Sequence, residues 1–292
     1  MPPFGFPSGS AWSKQICDAL TSGSLANLLH DTLGHQHDVI TSFSKEFYLS
    51  GKPTIDAFLE HRTEYEQLGK AVIAATLIRH ETDSVFDIMV NPGEYNWLRY
   101  TYERLDSGFE EFGENKVSFI TFNYDRVLEW FFVTALSNSY KKRPSECAEL
   151  LKRIPIIHLH GRLGYLPWEA SDGNKRDFNG DITKETLEAC VKEIKIIYED
   201  PSDGRDAEFT HARELLDEAE RVYILGFGFH RTNVERLGLN KLTKKDKSLA
   251  TGYGLTQREQ GDIRNHITDG CVAINSEFRC IDFCRNIVDW FN

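Results

Sequence analysis

The sequence has no apolar run near the ~18 residues that a membrane-spanning helix needs. Its start, Met1 to Ser10, lacks the charged and apolar regions of a signal peptide. Both absences point to a cytoplasmic protein with no membrane attachment. Cys-x-x-Cys is missing, so a zinc ribbon is not expected. The six cysteines, Cys17, Cys147, Cys190, Cys271, Cys280 and Cys284, are scattered, and a chain of 292 residues needs no disulfide framework. They read as reduced thiols. Positive charge is in deficit: 34 Lys and Arg face 45 Asp and Glu, for a formal net charge of -11. The densest basic stretch, Lys241 to Lys247, has no basic neighbours and reads as a solvated loop, so direct nucleic-acid binding is not expected. Neither a Gly-x-Ser-x-Gly elbow nor a Gly-Lys-Ser/Thr phosphate loop occurs. His35-x-His37 and His158-x-His160 have chelating spacing, but no second ligand set lies at metal-site spacing, and no metal is expected.

Four short runs, rich in β-branched or aromatic residues, read as buried strands: Val117 to Phe122, Ile154 to His160, Val222 to Leu225 and Val272 to Ile274. Helical patterns separate them, over Arg126 to Ala135, Ala207 to Ala219 and Phe278 to Phe291. Strands alternating with helices predict a parallel, doubly wound α/β sheet of Rossmann type. From about 40 to 105 only helical patterns occur. Thr54 follows Pro53 as an N-cap, and Phe58, Tyr65, Leu68, Val72 and Ala75 then share one helical face. The expected organisation is therefore one domain over 1–39 and 106–292, with a helical insertion at 40–105. A second, more polar insertion is expected over Arg162 to Asp206.

Three strand ends carry polar residues where open α/β sheets bind ligands. The first reads Thr121-Phe-Asn123-Tyr124-Asp125 before a helix. Helix capping by Asn123 or Asp125 is its bland explanation; projection into the crevice is the functional one. The second reads His158-Leu-His160-Gly161, with both histidines on one side and a glycine that lets a ligand come close. A histidine at such a tip suits general-base work near neutral pH. The third reads Leu225-Gly226-Phe227-Gly228 and continues to Asn233, a glycine turn of the kind that lets backbone approach a nucleotide.

Taken together, these ends resemble the sirtuin-like family, and closely its bacterial stand-alone branch. Thr121-x-Asn123-x-Asp125 resembles the family's Thr-x-Asn-x-Asp motif, His160-Gly161 its catalytic His-Gly, and Gly226-x-Gly228 the turn against the cofactor ribose. Gly5-Phe6-Pro7 resembles its Gly-x-Pro segment. Ile55-Asp-Ala-Phe-Leu, Gly69-Lys70 and Asn96-Trp97 also look like that branch. The family's first strand, ending in Gly-Ala-Gly-x-Ser, has no counterpart after Met1; either the true start lies upstream, or this is a truncated, cofactor-impaired member.

The resemblance implies that NAD is the substrate and that the nicotinamide–ribose bond is cut, with Asn123 and His160 catalytic. Phe6, Pro7, Thr121, Asn123, Tyr124, Asp125, Gly161, Gly226, Phe227, Gly228 and Asn233 are the implied NAD contacts. With no zinc ribbon, water rather than an acyl-lysine is the expected acceptor. A deacylase and a non-catalytic scaffold subunit are the alternatives. By analogy with the bacterial branch, an antiphage effector is implied, held off until triggered. Self-association and a ring-shaped ATPase partner belong to the same expectation.

Overall fold

A computed structural model describes residues 9–86, 96–105, 108–169, 174–196, 207–243 and 248–290. The chain is mixed α/β, with many helices and small parallel sheets. It divides into two compact units. One holds 1–87, 109–114 and 121–202; the other holds 88–108, 115–120 and 203–292.

The first unit is built on helices. They are α1 (Gly9–Thr21), α2 (Ser24–Leu33), α3 (His37–Leu49), α4 (Ile55–Leu59) and α5 (Glu66–Leu77). Apolar residues recur at helical spacing, as Trp12, Ile16 and Leu20 on α1 and Ile40, Phe43 and Phe47 on α3, so each helix presents one stripe to a shared core. Thr54 caps α4 by accepting the Ala57 N–H at 3.3 Å. The expected face of Phe58, Tyr65, Leu68, Val72 and Ala75 is buried, although the chain makes a 3₁₀ turn at Thr63–Tyr65 between α4 and α5. α5 is buried nearly all round, and Leu59 lies where a Cβ on Gly69 would stand. Helical structure is thus already present over Gly9–Leu33, and residues 40–78 share one core with α1 and α2.

Beyond residue 108 come β1 (Phe119–Thr121), α6 having preceded it at Trp97–Leu105, then α7 (Val127–Tyr140), α8 (Pro144–Leu151), β2 (Ile156–His158) and α9 (Lys184–Glu193). α9 lies inside the stretch expected to be a polar insertion. Its Thr183 cap and the spacing of Leu187, Cys190 and Ile194 were the available signal, and all three apolar residues are buried in the helical core.

The second unit contains α6, α10 (Ala207–Glu218), β3 (Val222–Ile224), α11 (Arg231–Leu237), β4 (Ser248–Thr251), α12 (Gln257–Asp262), β5 (Ala273–Asn275) and α13 (Cys280–Asn286). β3, β4 and β5 form a parallel sheet in that order, pairing Tyr223 with Leu249 and Leu249 with Ala273. β4 was not foreseen. It is four residues long, and Ser248, Ala250 and Thr251 are too small and polar to read as a strand, yet all three are buried at the sheet centre. The strands expected in a single sheet fall in two: β1 with β2, and β3 with β4 and β5. β1, β2 and β3 are also shorter than expected, and β5 is shifted by one residue; β2 is cut because Leu159 and His160 already turn after His158 and Ile154 closes the last turn after α8.

One buried ion cluster locks the first unit. Glu81, fully buried, accepts from Arg126 Nε at 3.0 Å and Nη2 at 2.6 Å, and its Oε2 also takes Arg176 Nη2. Arg126 spends its remaining donors on the carbonyls of Tyr165, Arg176 and Asp177. A carboxylate between two dehydrated guanidiniums cannot be removed without leaving uncompensated charge. Glu81→Gln is expected to destabilise the protein by roughly 3–5 kcal/mol, read as a lower urea midpoint with an unchanged slope. A midpoint within error of the parent would show that the cluster is not what holds this unit.

Candidate functional site

The first strand end and the second meet in the first unit. Leu159 N–H donates to Thr121 O at 2.9 Å, which sets the turn after β2 beside Thr121. Thr121 Oγ1 accepts the Asn123 N–H at 3.0 Å. Asn123 O in turn lies 3.0 Å from His158 Nδ1, and the Asn123 side chain is exposed. Asp125 Oδ1 takes the Val127 N–H at 3.2 Å, so the capping role weighed for it is real and opens α7. The Tyr124 phenol is buried and donates to the Asp56 carboxylate.

His160 stands in the turn immediately after β2, mostly buried. Its ring makes edge contact with Phe122, centroids 5.4 Å apart, and a tilted contact with Tyr124 at 5.8 Å. Its Nδ1 is 3.9 Å from Asp56 Oδ1. Gly161 has φ +71° and carries an approach of backbone to backbone. A Cβ there would sit 2.0 Å from Glu193 O, where α9 ends, and Lys195 N–H donates to His160 O at 2.8 Å. Thr121, Asn123, Tyr124, Asp125, His160 and Gly161 are thus gathered around two adjoining chain turns.

Gly226, Phe227, Gly228 and Asn233 belong to the second unit. Gly226, at φ +62°, follows β3 and donates its N–H to Thr251 Oγ1 at 2.8 Å, so β4 holds the glycine turn. Gly226 and Gly228 are exposed, and Phe227 packs edge-on against buried Phe229. Asn233 is on the first turn of α11. Phe6 and Pro7 lie outside the described residues.

Three residues that the sequence reading gave no role shape the site: Asp56, Glu129 and Glu81. Glu129 carried a visible signal, a lone charge inside the apolar run Val127-Leu-Glu-Trp-Phe-Phe-Val. A charge at the core face of a helix calls for a buried partner. That partner is His158, whose Nε2 is 2.8 Å from Glu129 Oε1. Arg162 Nη1 lies 3.7 Å from the same oxygen and 2.7 Å from Glu169 Oε1.

His158 uses both ring nitrogens on protein acceptors, and His37 stacks on His30. Among the described residues no group of three or more His, Cys, Asp or Glu is placed to hold a metal, and no helix is long and apolar enough to cross a membrane. All six cysteines are free.

The charges are strongly tuned. Burial pushes the Asp125 carboxyl up to about 6, against the Val127 hydrogen bond and the nearby His158 charge, both of which lower it. Burial acts in the same direction on Glu129, but the His158 charge and hydrogen bond, with Arg162, outweigh it and hold Glu129 at about 2. His158 is raised: burial disfavours its charged form, and Glu129 more than offsets this. The Tyr124 phenol is driven well above its ordinary range by burial and by the Asp56 charge. No family model, curated protein or solved structure matches this chain.

Stability should follow these shifts with worked signs. Asp125 contributes fully below the ordinary carboxylate pKa and loses that contribution as pH rises through about 6. Glu129 contributes above the ordinary value and loses it as pH falls toward about 2. His158 contributes below the ordinary imidazole pKa and loses it as pH rises through its raised value. The thermal midpoint is therefore expected to peak near roughly pH 4 to 4.5, to fall from there to about 6 as Asp125 ionises, and to fall again above the ordinary imidazole pKa as His158 loses its proton. Asp125→Asn should flatten the decline between roughly pH 4 and 6, and a decline unchanged in this variant would assign it elsewhere. Gly161→Ala is expected to cost at least about 2 kcal/mol in urea unfolding, from left-handed strain plus the Glu193 carbonyl; a neutral result would contradict the close backbone approach.

Proposed function

We propose that this chain is a sirtuin-like NAD hydrolase with a Rossmann-type arrangement of strands and helices. It is read as a cytoplasmic effector of bacterial antiphage defence that works through self-association or with a ring-shaped ATPase. The observation that carries the reading is the meeting of the Thr121–Asp125 strand end with the His160–Gly161 turn, two motifs 35 residues apart joined at Asn123 and His158.

Breaking the nicotinamide–ribose bond leaves an oxocarbenium-like sugar. The exposed Asn123 amide orients the ribose or the attacking water. Asp125 keeps one carboxyl oxygen for the nicotinamide carboxamide, the other being engaged at Val127. His160 takes the proton from water or a ribose hydroxyl, a step worth ~10²–10⁴-fold in rate. Asp56 Oδ1 lies 3.9 Å from His160 Nδ1, on the side of the ring that it orients.

Incubation with NAD should release nicotinamide and ADP-ribose, followed by chromatography. Asn123→Ala and His160→Ala should each lower the rate by at least about 10²-fold without moving the thermal midpoint. Hydrolysis surviving in both variants would remove these residues from the reaction, and acyl-lysine turnover without free NAD hydrolysis would make the protein a deacylase. Mass measurement in solution tests the association; a rapid, strictly monomeric hydrolase would sink the gated-effector reading.

A further inference from the structure

We infer that His158 is held as an imidazolium that fixes the main chain of Asn123, making it a positioning residue for the hydrolysis proposed above, on which this inference rests. Both ring nitrogens face oxygen atoms: Asn123 O at 3.0 Å from Nδ1, and Glu129 Oε1 at 2.8 Å from Nε2. A carbonyl only accepts, and so does an ionised carboxylate. A neutral imidazole has one N–H and satisfies one of them; the doubly protonated ring satisfies both. Glu129 is the ionised partner, since its carboxyl is held at about 2. Side chains on His158 and Glu129 are almost fully buried, so water does not substitute for either bond.

The consequence falls on Asn123. Its N–H is tied to Thr121 Oγ1 and its carbonyl to His158, so both peptide groups flanking its Cα are fixed while the side chain projects into solvent. Loss of one proton from His158 acts selectively. The remaining proton stays on Nε2, because the carboxylate is the stronger acceptor. Nδ1 then presents a lone pair to the Asn123 carbonyl oxygen, and attraction becomes repulsion.

The surrounding charges pull in both directions. Glu129 on α7 favours the cation, and Asp125 at the strand end adds to it once ionised above about 6. Arg162, on the segment after β2 and paired to Glu169, opposes it. The clamp is therefore closed while His158 carries both protons and opens as pH rises through its raised value.

The test uses the full chain labelled with ¹⁵N at the histidine rings and at backbone amides, titrated by NMR from about pH 5 to 9, above and below the ordinary imidazole value of ~6.5. The expected result is a His158 ring protonated on both nitrogens at neutral pH, with an Asn123 amide shift that follows the ring's midpoint. Glu129→Gln should move that midpoint down by at least about one pH unit. In parallel, kcat for NAD hydrolysis should fall about ten-fold per pH unit above the midpoint, with KM changing by less than about two-fold, the mark of lost transition-state alignment. The alkaline limb should shift with the ring in Glu129→Gln. A neutral His158 at neutral pH, or an Asn123 amide blind to its titration, overturns the inference; this part needs no variant to fold. An alkaline limb that stays put in Glu129→Gln overturns the positioning role. A wild-type chain that shows the ring signature and the coupled Asn123 shift but leaves NAD intact upholds the clamp and overturns the proposed hydrolase.

Discussion

The first unit depends on a single carboxylate, Glu81, shared by two buried guanidiniums. Its reach is what matters. Glu81 follows the central helix α5, Arg126 is the residue next to Asp125, and Arg176 ends the segment that runs from His160 past Trp168. Three stretches far apart in sequence are therefore held at one point. Arg126 also hands its carbonyl-seeking donors to Tyr165, Arg176 and Asp177, so the segment after β2 is tied down at those three residues. Dehydrated charge is expensive, and here all five N–H groups of Arg126 find acceptors, the condition under which such a cluster specifies one arrangement.

How the sequence reading fared follows from which signals are local. Thr54 as a cap and the buried face from Phe58 to Ala75 were legible, because capping and helical periodicity need only neighbours in the chain. The strand cores around Phe119, Ile156 and Val222 were legible for the same reason, while their ends were overdrawn by a few residues. β4 was hidden because a central strand flanked by two others can be made of Ser248, Ala250 and Thr251, whose value lies in being small enough for the sheet to pack over them. α9 was hidden because polar loop signals on either side outweighed the spacing of Leu187, Cys190 and Ile194.

The candidate site divides the same way. That Asn123, Asp125 and His160 lie on two strand ends is a property of the sequence; that the ends adjoin is a property of pairing, visible only in the fold. The two histidines, equivalent on paper, separate by environment. His158 spends both nitrogens on the protein, whereas His160 stands past the strand against Phe122 and Tyr124 with Asp56 near its Nδ1. Gly161 was read as letting a ligand come close; the close neighbour in the fold is the carbonyl of Glu193.

α7 begins without a capping side chain from its own N-cap residue, Arg126, which is moreover a cation where the helix dipole disfavours one. The missing carboxylates come from elsewhere: Glu81 accepts the Arg126 N–H at 3.3 Å, and Asp125 accepts that of Val127. The helix is started by a residue 45 positions away. Its first turn thus has little reason to exist as an isolated segment, and the Thr121–Asp125 end inherits that dependence. Any breathing motion that unwinds this turn must also expose a buried ion cluster, so the floor beneath Asn123 behaves as a rigid plate. Larger movements must arise in parts of the chain that Glu81 does not hold.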